Sequence, residues 1–126
     1  MEAIHIIRQP VGMSSSLARN LRALVDAYPD GDLVQTIVNQ AHDVSNNMQG
    51  WVSNLEQIRD GGVDDVDAYF DALKTLNTHC KRIIRAYAEN KLTKDFARLY
   101  WEYVVNSNLQ LIEISNDIDL GAFDAN

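Results

Sequence analysis

His79 and Cys80 come nearest, by residue type, to a nucleophile and its base, since an imidazole that reaches a thiol can convert it to thiolate. Their spacing argues against that chemistry. Both lie in a stretch of helical periodicity, where adjacent residues point about 100° apart and do not face each other. Cys80 holds a seam position there and reads as a small buried apolar residue, with His79 flanking it. His42 beside Asp43 flanks a seam in the same way. A dinuclear carboxylate centre in a helical bundle needs Glu-x-x-His pairs and further inward carboxylates. That motif occurs once, at Glu2 and His5, ahead of every expected helix, and the seam positions hold no Glu or His. Gly61-Gly62 belongs to neither kind of phosphate loop, and Cys-x-x-Cys-His and Gly-x-Ser-x-Gly are absent. These observations predict a non-enzymatic protein with no cofactor and no metal.

Two clusters of charge remain. Lys81, Arg82, Arg85, Lys91, Lys94 and Arg98 gather around one connection, where Asp26, Asp30 and Asp32 of the same bundle end would balance them. At the other end Asp60, Asp64, Asp65, Asp67 and Asp71 run without a positive charge among them, and antiparallel packing adds Glu113, Asp117, Asp119 and Asp124. Arg19 and Arg22 are the cations expected to offset this acidic pole. Its aspartates lack the order of a calcium-binding loop and its closing Glu. Such a pole suits a basic protein surface, at the sharpest a nucleic-acid-binding protein whose partner's charge it would imitate. Solubility and helix-dipole complementarity are the simpler uses of the same residues.

The elements that would position these groups follow from periodicity. Between Leu33 and Arg59, Val34, Ile37, Ala41, Val44, Met48, Trp51, Leu55 and Ile58 step by three and four, the seam of a helix that must be covered by others. Ser45, Asn46, Asn47 and Gly50 soften its middle; Gly50 is expected to give room to Trp51 or to a close helix, and a bend. Leu17, Leu21, Leu24 and Tyr28 mark a first helix over 13–28, capped by Ser14–Ser16 and stopped at Pro29. Val66, Tyr69, Leu73, Leu76, Cys80, Ile83 and Tyr87 mark a third over 64–89. Ala97, Tyr100, Val104, Ser107, Leu111, Ile114 and Ile118 mark a fourth over 94–117, capped by Thr93. Short connections make sequential helices antiparallel. The fold class expected is all-α: an up-down-up-down four-helix bundle in one domain, with a short first helix, an extended arm at 1–12 ended by Pro10 and Gly12, and an acidic tail at 119–126.

Composition agrees. Hydrophobic residues make up 46 %, too many for a disordered chain, and two prolines and six glycines leave room for long helices. The net charge of −7 and pI near 4.7 argue against direct binding to nucleic acid or an anionic membrane. No apolar run nears the ~20 residues of a membrane span, the N-terminus lacks the pattern of a signal peptide, and the single cysteine suits a reducing compartment. A cytoplasmic location is the expectation.

The fourth helix is apolar on too many sides for one small bundle. Beyond its seam it carries Trp101, Val105, Leu109 and Ile112, with Leu99 and Tyr103 beside them, where a bundle helix should present a polar face. Either the arm and tail cover this stripe or another chain does. The reading is a protein-protein interaction module, such as an adaptor, an inhibitor or anti-defence protein, or an assembly subunit. It would use the stripe for docking or for a homodimer and the acidic pole as a second contact. The alternative is a bundle that binds a small ligand or carries minor chemistry in its core, with Tyr69, Tyr87, Tyr100, Ser107 and His79 supplying polar groups.

Overall fold

Four seams of alternating three- and four-residue steps cannot be buried singly, and in the structure they are buried against one another. A computed structural model describes residues 3–27, 31–60 and 66–117, with side chains over 8–27, 32–57 and 67–116. The elements are α1 (Ala3–Asp26), α2 (Gly31–Asp60), α3 (Val66–Ala88) and α4 (Lys94–Asp117), and no strand occurs among the described residues. Each helix packs on its neighbours in chain order, and α1 closes the ring against α4.

Side-chain bonds between helices show the alternating direction. Tyr87 at the end of α3 donates its hydroxyl to Gln35 Oε1 at the start of α2, at 2.9 Å. Late in α1, Asn20 donates to Gln40 Oε1 of α2 at 2.6 Å, and Gln40 Nε2 donates to Ser16 Oγ at 2.8 Å. The seams form the core: Leu17, Leu21 and Leu24 of α1, Ile37 through Leu55 of α2, Tyr69 through Ile83 of α3 and Ala97 through Leu111 of α4 are buried at their seam positions. Each large apolar side chain among them contributes about 1.5–3 kcal/mol on burial. Tyr28, Ile58, Val66 and Ile118 lie outside the described side chains.

The N-terminal segment differs from expectation. Instead of an extended arm before a short helix, α1 begins at Ala3 and runs 24 residues through Pro10 and Gly12. Pro10 has no N–H to give the Ile6 carbonyl, a loss that costs an exposed helix about 3 kcal/mol. Tertiary burial outweighs it here. Pro10 is itself buried, Val11 and Met13 pack on the core, and Ser14 is closed off from solvent. Asn108 of α4 then fastens this turn: its Nδ2 donates to the Val11 carbonyl at 3.1 Å and to Ser14 Oγ at 2.7 Å, and its Oδ1 accepts from Ser15 Oγ at 3.2 Å. The acidic tail at 119–126 lies outside the described residues.

The turn from α3 to α4 is closed by main-chain bonds. Asn90 N–H donates to the Tyr87 carbonyl at 3.0 Å and Lys91 N–H to the Ala86 carbonyl at 2.7 Å, a Schellman closure with Asn90 in the left-handed region at φ 57. Thr93 Oγ1 accepts from the Phe96 amide at 3.3 Å, which makes Thr93 the N-cap of α4. In α2, Asp32 falls inside the first turn rather than capping it, where its carboxylate still suits the positive helix end.

α2 is continuous through its soft middle. Gly50 is exposed, and a Cβ built on it would meet nothing within 4 Å. The glycine therefore gives no room to Trp51 and admits no close helix. Gly50→Ala should stabilise the bundle by about 0.5–1 kcal/mol, the difference in helix propensity, read as a higher urea midpoint at unchanged slope.

Candidate functional site

Two flanks of α4 leave the core in different directions. One faces α1. Trp101 and Val105 are half-buried against the core and Ile112 is half-buried too, so most of this stripe is already partly covered. The Arg22 guanidinium of α1 lies 5.7 Å from the Trp101 ring centroid, a cation–π contact. Only Leu109 of that stripe stays open, 56 % exposed. α1 lies alongside α4 from Asn108, bonded to Ser14, to Trp101, beneath Arg22. Arg19 and Arg22 lie in the last third of α1, toward the start of α4, where Arg22 pairs with Asp26 at 3.6 Å, so neither offsets the acidic pole.

The other flank borders α3 and carries the exposed apolar residues. Phe96, Leu99 and Tyr103, at i, i+3 and i+7, are 39 %, 42 % and 38 % exposed. Sequence reading found Leu99 and Tyr103 but not Phe96, although the three share one helical face. Their rings are held in place. Phe96 stacks on Tyr100 at 5.9 Å between centroids, and Tyr103 stacks across the groove on His79 at 5.1 Å with planes 10° apart. Anchored aromatic surface loses little side-chain freedom when it is covered, a property of interface anchors.

The α3–α4 groove opens into a cleft at each end. Beneath the Asn90 turn a cleft of about 330 Å³ is lined by Arg82, Arg85, Ala86, Glu89, Lys91, Phe96 and Tyr100. Of its cations, Lys91 pairs with Glu89 at 3.5 Å. Toward the far end a cleft of about 500 Å³ has a floor of Ala68, Ala72 and Ile114 and a rim of Asp71, Thr75, Gln110 and Glu113. Asp67 and Asp71 also border a third cleft, between α2 and α3, with Glu56 and Lys74. The structure therefore gathers Asp67, Asp71 and Glu113 of the expected acidic pole. Asp64 and Asp65 fall outside the described residues, and Asp117 ends α4 with its side chain undescribed.

The candidate chemistry separates. Cys80 is sealed in the core, where burial pushes its thiol up to about 12, and His79 turns away onto Tyr103, so no thiol–imidazole contact forms. His79 Nδ1 is buried with no hydrogen-bond partner among the described residues; burial first, and the Arg82 guanidinium second, hold its pKa below the ordinary 6.5. Burial also raises the Tyr69 phenol. Of Tyr69, Tyr87, Tyr100, Ser107 and His79, only Tyr100 lines a described cleft. No group of three His, Cys, Asp or Glu among the described residues is placed to hold a metal, and no described helix is long and apolar enough to cross a membrane. No protein-family model, curated protein or solved structure matches this chain.

Two outcomes follow from the buried groups. An imidazole with a depressed pKa binds its proton more readily in the unfolded chain, so its contribution is full above pH 6.5 and is lost as pH falls through that value toward the folded pKa. Urea titrations at stepped pH should show wild type losing stability over that window relative to His79→Gln; a difference independent of pH would refute the assignment. Cys80 should resist alkylation at neutral pH until the bundle opens, so its labelling rate should rise along the unfolding curve rather than before it.

Proposed function

We propose that this chain is a non-enzymatic protein-interaction module that docks through the α3-facing flank of its last helix. One observation carries the reading: Phe96, Leu99 and Tyr103 stand exposed in a row on α4, outside its seam, while every described seam residue except Tyr87 is buried or half-buried. Scattered apolar residues on a surface need no explanation, but a contiguous row anchored by ring stacking and bordered by charge has the anatomy of an interface core and its rim. The cations Arg82, Arg85 and Lys91 border one end of the row. The acidic residues Asp67, Asp71 and Glu113 form a second contact at the opposite end, suited to a basic partner such as a nucleic-acid-binding protein. An adaptor, an inhibitor and an assembly subunit would each use such a surface.

Leu99→Asp places a charge in the middle of the row at an exposed position. Used as bait in native extract, that variant should lose at least tenfold of whatever the wild-type chain retains, with helicity unchanged; truncation of a central anchor costs more than about 1–2 kcal/mol. Leu109→Asp, on the other flank, should retain the partner. Equal retention by wild type and Leu99→Asp would refute the docking flank.

A further inference from the structure

We propose that the α3–α4 face is also a self-complementary surface and that a second copy of this chain covers it, antiparallel, about a two-fold axis near the middle of the groove. The inference rests on the docking flank argued above and names an occupant for it. Three features of the face point to a second copy. Its two ends carry opposite charge: Arg82 and Arg85 border the cleft at one end, Asp71 and Glu113 the cleft at the other. None of these four forms an ion pair with another described residue. The ends also differ in relief. The exposed Phe96 walls the smaller cleft at the basic end with Leu99 exposed beside it, and the larger cleft at the acidic end is floored by the small side chains of Ala68 and Ala72.

Exposed apolar side chains and the larger hollow, and base and acid, lie on one face of one molecule. A two-fold rotation lays each copy's basic, aromatic end over the other's acidic hollow, and both contacts form at once. Because the same operation satisfies both, the assembly closes at two chains. A head-to-tail arrangement would use one end of each copy and leave the other free to add a further chain.

The size of the face sets the strength. From Phe96 to Glu113 it runs roughly 25 Å along α4, and two helices each about 10 Å wide make some 500 Å² per copy. The roughly 1,000 Å² buried in total is at the lower limit for a specific interface. A weak dimer results, one that separates on dilution and is further loosened by salt, since its ion pairs lie at an exposed rim.

Charge exchange between two versions of the full chain tests this. Light scattering after size-exclusion chromatography should give a mass above the 14.2 kDa of one chain, rising to twice that with concentration and falling with salt. Arg82→Glu sets like charge opposite Asp71 of the second copy twice over, and Asp71→Arg does the same opposite Arg82. Each variant should be monomeric at least tenfold above the wild-type transition. Mixed in equal amounts they should form a dimer, because every pair is again opposite in sign, and the doubly exchanged chain should dimerise with itself. Arg85→Glu and Glu113→Lys serve as the second set should either variant lose helicity. A wild-type chain monomeric at every concentration, single variants that remain dimeric, a mixture that stays monomeric, or growth beyond two chains would each overturn the proposal. A monomer whose partner capture still depends on Leu99 would refute the second copy and leave the docking flank standing.

Discussion

The closure of α1 against α4 is the contact on which the rest of this structure depends. α4 is apolar over more of its circumference than α3 can cover, and only α1 reaches the remaining side. The register is set by a buried polar clamp. Asn108 commits both donors of its amide to the first half of α1, at Val11 and Ser14, and Ser15 donates back to its oxygen. Buried amides left unpaired are costly, so sliding α1 along α4 by even one turn would strand several such groups at about 1–3 kcal/mol each. An all-apolar seam would tolerate that shift far better. The clamp thereby fixes which residues of α4 are covered: Trp101 and Val105 go inward, and Phe96, Leu99 and Tyr103 stay exposed.

That division explains what the sequence could disclose. The seams were readable because burial repeats at a fixed spacing, and residues such as Ile37, Val44, Leu73, Ile83 and Leu111 sit in the core where the three-four steps put them. The N-terminal segment was not readable in this way. Pro10 is a strong local signal against helix, and the burial of this turn in the bundle, which local sequence does not record, outweighs it. Asn108 was equally silent, because an asparagine between two apolar steps looks the same whether it faces water or clamps a neighbour.

The exposed apolar surface was half legible for the same reason. An excess of apolar residues on α4 could be counted, and Leu99, Tyr103 and Leu109 are among those left exposed. Which excess residues are free depends on where the neighbouring helices lie, and that is set by contacts such as those of Asn108 and Arg22. Trp101, Val105 and Ile112, for which cover from within the chain and cover by another chain were both open, are half-buried. Errors in a bundle propagate around the ring, since each helix is judged by what its two neighbours cover.

Charge divides the molecule in a second way. Over the described side chains acids and bases are equal in number, so the formal −7 of the chain belongs to residues outside them. The α3–α4 face is accordingly not an acidic surface with exceptions but a balanced one, basic toward the Asn90 turn and acidic toward the start of α3. A uniformly charged face repels its own kind. A face with separated halves attracts a copy in one orientation and repels it in the other, because parallel alignment sets Arg82 against Arg82 and antiparallel alignment sets it against Asp71. Exposed apolar side chains alone would bind many surfaces weakly, and the charges at either end restrict that tendency to a partner presenting the reverse order.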